Sequence, residues 1–475
     1  MSTQPKQTQS GSQAPDQVQA DLYEKRQKIY PREVHGVFAR LRVLGMVSLL
    51  GIYYGLPWLS WDGRQAVLFD LPARKFYIFN LTFWPQDFFY LAVLLIIAAL
   101  TLFFFTALAG RLWCGYACPQ TVWTEIFMWM ERRIEGDRAR QMKLDKAPWS
   151  VRKLGIKSAK HGTWIAFSLY TGFTFVGYFT PIHTLGHELF TLSMGPWETF
   201  WVLFYGLATY GNAGWMREQV CIYMCPYARF QSAMFDRNTL IISYDVGRGE
   251  PRGSRRRDAD HRALGMGDCI DCTLCVQVCP TGIDIRDGLQ YQCIGCAACV
   301  DVCDQVMDKM DYPRGLIRYT TENAMEGVPG RVLRPRIVVY ALLLMVLAGG
   351  LFYAISQRVP LELDVLRDRN VLYREVAGGL VENTYTLKVI NMDERSHRYT
   401  LSVEGIPQLA VAGGARTIEV PAGEVKAVPV AVRTDPVHLS RASTQIRFSL
   451  QALDAPGLRA TGISRFIGPA AGGRP

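Results

Sequence analysis

Five stretches of the chain are apolar on every side of a would-be helix, and they set its first-order organisation. Phe88–Gly110 is a long uncharged run, and a bilayer core about 30 Å thick needs roughly 20 mostly apolar residues in a helix. Ile337–Ile355, Thr163–Thr180 and Val43–Leu59 meet the same requirement, the last with Pro57 near its end. Phe200–Trp215 is the weakest of the five, interrupted by Asn212 and several glycines. After the last run the period changes to two. Tyr385–Ile390, Arg398–Val403, Val425–Val432 and Gln445–Leu450 alternate, separated by Asn391, Asp393, Gly405, Gly413, Gly414 and Gly423. Short alternating strands with turn residues between them predict an immunoglobulin-like β-sandwich without a cysteine.

Charge orients the spans. Residues 111–160 contain eleven Lys or Arg, the connection 181–198 none and 60–86 three. Basic loops stay inside, so 111–160 and 215–336 are expected in the cytoplasm and the sandwich outside, in the periplasm of a Gram-negative cell. A net charge of +10 at pH 7 would otherwise suggest nucleic acid. Here the basic residues flank apolar runs, where they meet anionic headgroups. The opening stretch to about Gln19, rich in Gln, Ser and Pro, reads as a disordered tail with no cleavable signal.

All twelve cysteines lie in segments expected in the reducing cytoplasm, which argues for thiols or metal ligands over disulfides. Cys269, Cys272, Cys275 and Cys279 are spaced C-x2-C-x2-C-x3-C before Pro280. Cys293, Cys296, Cys299 and Cys303 repeat the spacing, with Asp304 in place of the proline. Three thiolates from a tight loop hold one cluster, and the fourth reaches across to the other. The spacing therefore assigns Cys269, Cys272, Cys275 and Cys303 to one [4Fe–4S] cluster, and Cys293, Cys296, Cys299 and Cys279 to the second. A pair of zinc knuckles is the bland alternative, though zinc ribbons seldom carry this spacing twice in tandem.

The other four cysteines form twin motifs, Cys114-x3-Cys118-Pro119 and Cys221-x3-Cys225-Pro226. Each has an arginine ahead (Arg111, Arg217) and an aromatic four residues past the proline (Trp123, Phe230). Cysteines four apart share a helix face, and proline bends or restarts the helix. Two such faces turned together would make a four-thiolate site at the cytoplasmic boundary, able to take Cu(I), Zn or a third cluster. Met216 and Met224 lean towards copper; ordinary helix packing is the alternative. His183 and His187 could ligate copper or a haem or bond a quinol, against a bland interfacial role. Arg252, Arg255, Arg256 and Arg257 read as a headgroup-contacting linker. There is no nicotinamide fingerprint, Walker loop or C-x-x-C-H haem motif.

The predicted architecture is a multi-domain membrane protein. Residues 1–36 form a basic, disordered N-terminus and 37–240 a four-span membrane region. A cytoplasmic 2[4Fe–4S] ferredoxin-like domain occupies 241–336, a fifth transmembrane helix 337–356 and the sandwich 357–475. This ordered set of twin CxxxCP motifs, double ferredoxin run, last span and strand-rich tail resembles the CcoG family of cytochrome c oxidase accessory proteins, also called FixG or RdxA. The resemblance implies a bacterial inner-membrane oxidoreductase assisting cbb3-type oxidase assembly by reducing Cu(II) to Cu(I), with assembly factors, copper transporters and chaperones as partners; an unidentified cytoplasmic donor is expected to charge the clusters. A NapH-like quinol dehydrogenase and a redox-sensing assembly scaffold are the other readings.

Overall fold

A computed structural model describes residues 28–260, 263–414 and 416–469; the predicted tail to Gln19 lies outside them. The chain divides into two compact units, Met1–Phe69 with Ala98–Leu343, and Asp70–Ile97 with Leu344–Pro475.

In the first unit, α1 (Val37–Gly55) is followed later in the chain by α2 (Phe88–Ala109), which runs in from the second unit. A short α3 (Leu112–Tyr116) leads to α4 (Pro119–Glu135), α5 (Val151–Val176) and α6 (Pro196–Thr209). Helix α2 has no polar face: Phe88, Phe89, Leu94 and Leu95 are all more than half exposed, as suits a helix solvated by lipid. Among the described residues three helices are long and apolar enough to cross a membrane: Val37–Trp58, Pro85–Ala109 and Pro335–Ser356. They cover three of the five predicted spans. The other two fall on α5, whose first half carries Arg152, Lys153, Lys157 and Lys160, and on α6, which has only 14 residues. The last turns after α6 widen into π-helix at Tyr210–Met216 and again at Val220–Met224. Helices α5 and α6 cross closely because glycine allows it. A Cβ on Gly172 would lie 2.3 Å from the Val202 carbonyl oxygen.

The ferredoxin-like module is closed by an antiparallel pair, Ile241–Tyr244 with Ile317–Thr320. Its helix α7 (Ala298–Met310) packs Val300, Val306, Met307 and Met310 into a core with Ile242, Tyr244 and Ile317. The carboxylate of Asp301 on this helix accepts from the amides of Phe38 (3.1 Å) and Ala39 (2.7 Å), capping the start of α1, where Gly36 offers no side chain.

In the second unit, α8 (Pro335–Ser356) runs on into two antiparallel sheets. One orders Ala410–Val411, Val425–Thr434, Leu380–Asn391 and Leu361–Arg367; Arg374–Val376 also pairs with the long strand. The other orders Arg416–Val420, His397–Glu404, Ser443–Ala452 and Arg459–Ile467. Alternate residues Tyr385, Leu387 and Val389 are fully buried, and Tyr385 meets Phe448 edge-on at 5.0 Å. All four strand stretches predicted from alternation lie within these strands.

Candidate iron–sulfur and thiol centres

The two cysteine runs fold alike. Asp271 and Thr273 in the first, and Gly295 and Ala297 at the matching positions of the second, all adopt positive φ (51°, 55°, 68° and 57°). Alternating handedness turns successive amides inward, the backbone cradle that anionic clusters occupy. Each run borders a small cavity. One is lined by Cys269, Cys272, Cys275 and Cys303, the other by Cys279, Cys293, Cys296 and Cys299, with Cys275 at its edge. Cys303 thus lines the cavity of the first run, and Cys279 that of the second. Burial pushes the thiols of Cys275, Cys296 and Cys303 up to about 12, so that deprotonation here calls for a cationic partner. Among the described residues no three Cys, His, Asp or Glu side chains converge as a single metal ion requires. Four thiols around a cavity suit a wider cluster, and the donor set fits [4Fe–4S].

Asp304 has a physical reason. Helix α7 continues to Met310, so a proline at 304 would break it in mid-course. The Asp304 carboxylate accepts from the Gly315 amide at 2.9 Å. After Cys279, by contrast, no helix continues, and Pro280 is tolerated.

The twin motifs correct one expectation. Their cysteines do not share one helix face, because each pair straddles a break. Cys118 and Cys225 have extended backbones, and Pro119 and Pro226 are the first residues of new helices, α4 and Pro226–Ala233. The four thiols still lie near enough to interact electrostatically, Cys114 and Cys221 each with Cys118 and Cys225, without three of them converging as a single metal ion requires. The Cys114 thiol donates to Gln231 Oε1 at 3.1 Å, and the amides of Gln120 and Thr121 address the Cys118 sulfur. Met224 is 59% exposed, and the four motif cysteines are half-buried.

This site abuts the second cysteine run. A Cβ on Gly115 would sit 2.8 Å from the Gly295 carbonyl oxygen and 2.9 Å from Cys296 Cα. Between them, Arg111 donates to the carbonyls of Cys293 (3.2 Å), Tyr291 and Ala228 and to the Ser232 hydroxyl. Its charge acts on Cys114, Cys221, Cys225 and Cys293 together.

Arg217, ahead of the second motif, instead enters a buried ion network. Its guanidinium reaches Glu131 at 2.6 Å; Lys160 lies 3.2 Å from Glu131 and 2.8 Å from Glu135. Lys157 bridges Glu135 (2.8 Å) and Asp145 (2.5 Å), and Lys28 reaches Asp145 at 2.7 Å. Sequence reasoning missed this network, reading the basic residues only as orienting charges. The signal available was Glu131 and Glu135 four apart, ahead of Lys157 and Lys160.

The remaining expected sites are plainer. His183 packs edge-on against Trp58 at 5.4 Å, and the His187 carbonyl accepts from Thr191. Of the predicted basic linker, Arg255 belongs to the module itself, bonding Gly267 O (2.7 Å) and the Tyr312 hydroxyl (3.1 Å).

Comparison with known proteins agrees with these parts. Residues 216–322 match a 4Fe–4S dicluster domain, 91–157 a 4Fe–4S binding domain and 351–469 the IG-like fold at the C-terminal of FixG. Both CxxxCP motifs fall inside the 4Fe–4S matches. The nitrogen fixation protein FixG of Rhizobium meliloti is 41% identical over 459 residues, covering 88% of this chain and 86% of that protein. RdxA and RdxB of Cereibacter sphaeroides are each 42% identical, covering 81% and 86% of this chain and 84% and 90% of theirs. The crystal structure of a FixG-related protein from Vibrio parahaemolyticus, 40% identical, covers 23% of this chain and 95% of its own (TM-score 0.21). The chain is an iron–sulfur protein with membrane-type helices and a FixG-type C-terminal domain, and it belongs to the FixG/RdxA family.

Proposed function

We propose that this protein is an inner-membrane electron-transfer protein that reduces Cu(II) to Cu(I) for the copper site of a cbb3-type cytochrome c oxidase during assembly. In this reading the chain spans the membrane five times, with the clusters cytoplasmic and the sandwich periplasmic. Its partners are assembly factors, copper transporters and copper chaperones. Cys269, Cys272, Cys275 and Cys303 hold one [4Fe–4S] cluster and Cys279, Cys293, Cys296 and Cys299 the other. When bound, they supply one-electron carriers. Cys114, Cys118, Cys221 and Cys225 bind copper as substrate.

The observation that carries the reading is the seat of Gly115 on Gly295 and Cys296. It sets a thiol site against the loop of the second cluster, a distance over which an electron passes without a further carrier. One electron converts Cu(II) to Cu(I), and soft thiolates favour the product. Arg111 lies where it acts on the charge of both sites.

The test uses anaerobically purified protein with its clusters reduced. Added Cu(II) is expected to reoxidise them rapidly, with Cu(I) appearing. A variant with all four motif cysteines changed to Ser should keep its cluster spectrum and lose this reaction. Equal rates in both proteins would exclude the thiol site.

A further inference from the structure

A cavity of about 1170 Å³ lies in the first unit between α1, α4 and the second cysteine run. Its walls differ in kind. Val43, Leu44, Met46 and Val47 of α1, with Trp129 of α4, give it an apolar lining. Leu44 and Val47 are 63% and 59% exposed, as suits a helix face turned to lipid. Arg42, Glu125, Glu218 and His35 add polar lining, and Cys296 and Cys221 border the same cavity. Arg42 donates to the Cys296 carbonyl, and Arg132 lies 3.4 Å from Glu125. Such a mixed lining suits an occupant with an apolar body and a polar head, and it includes Cys296 of the second cluster set.

We propose that this cavity binds a membrane quinol and oxidises it, which is how the protein takes in its electrons. The chemistry matches the two cysteine runs in number: a quinol releases two electrons, and two four-cysteine sites hold one each. Both O–H bonds of the quinol break and quinone forms. The two protons go to the carboxylates in the wall, Glu125 and the buried Glu218, and thence to water. The two electrons leave one at a time at the Cys296 side. The inference rests on the electron-carrier reading of the cysteine runs and is independent of copper.

The test is photolabelling of the full-length holoprotein in detergent with an azido-substituted short-chain ubiquinone. Label is expected on the 42–47 and 125–132 segments, displaced by decylubiquinone or by a short-chain menaquinone, whichever headgroup fits. Met46→Trp, which enlarges a lining side chain, should cut labelling by about tenfold; Val338→Trp, on the exposed face of α8, should leave it unchanged. Glu218→Gln should slow bleaching of the cluster absorbance by decylubiquinol on the order of a hundredfold, while bleaching by dithionite is unaltered. Label scattered over all lipid-facing helices, without displacement, overturns the proposal. So does displacement by phosphatidylglycerol vesicles and not by either quinone, which would make this a lipid site. Protein that quinol reduces but Cu(II) cannot reoxidise leaves this proposal standing and removes the copper reading. Dithionite-reduced protein that reduces Cu(II) yet binds no quinone does the reverse.

Discussion

Arg111 and Arg217 stand three and four residues ahead of twin Cys-x3-Cys-Pro motifs, and their guanidinium groups go to different kinds of partner. Arg111 gathers backbone carbonyls next to the second cysteine run; Arg217 meets a buried carboxylate. The residues after the first cysteines differ in step. Gly115 is pressed against Gly295, while its counterpart Ile222 carries a full side chain. The duplication fixes the break at each proline, but a copy acquires its role from what packs on it. One motif became the neighbour of a cluster loop, and the other is anchored by charge.

The comparison breaks most visibly at the ion network. Arg217→Leu leaves Glu131 buried with less positive charge, and losing a buried partner costs about 3–5 kcal/mol. Thermal unfolding in detergent should show a large drop. Arg217→Lys should recover part of it, whereas Arg111→Lys should not, because an ammonium cannot reach four acceptors in a plane. Exchanging the second residues tests the other half. Gly115→Ile overpacks the contact with Gly295 by about 1–3 kcal/mol and should shift the spectrum of the second cluster. Ile222→Gly should leave that spectrum as it is. A smaller effect is expected from Gln231→Leu, which removes the acceptor of the Cys114 thiol, about 1 kcal/mol in unfolding midpoint measurements.

The network also has an acid limb. Burial opposes the charge of Asp145, but hydrogen bonds from Lys157, Lys28 and Tyr30 outweigh it and hold the carboxyl well below its usual range. A depressed folded-state pKa contributes stability above about pH 4 that is lost as pH falls further. The Asp145→Asn variant should lack that part of the pH dependence in unfolding titrations.

Much of this was legible because it repeats locally. The spacing places Cys303 beside the first run and Cys279 beside the second, and each lines the cavity expected of it. Alternation exposed four strands of the sandwich, but did not single out Leu361–Arg367, Arg416–Val420 or Arg459–Ile467. What depends on distant packing was not visible. Lys157 and Lys160 have the same composition whether they face headgroups or carboxylates. Cysteines four apart suggested a shared helix face, yet proline at the first position of α4 put a break between them. A chain with both a basic loop and a long helix such as α5 can be read as a span or as a packed support, and hydropathy weighs only the first.

The carboxylate that caps α1 belongs to a residue 263 positions later in the chain. During synthesis the first hydrophobic helix is therefore made long before the group that completes its beginning exists. Until the module carrying Asp301 has folded, two amides of α1 lack this acceptor. Folding of the cysteine-rich module therefore completes the start of α1, and a chain whose cysteine loops fail to close leaves those two amides without this cap.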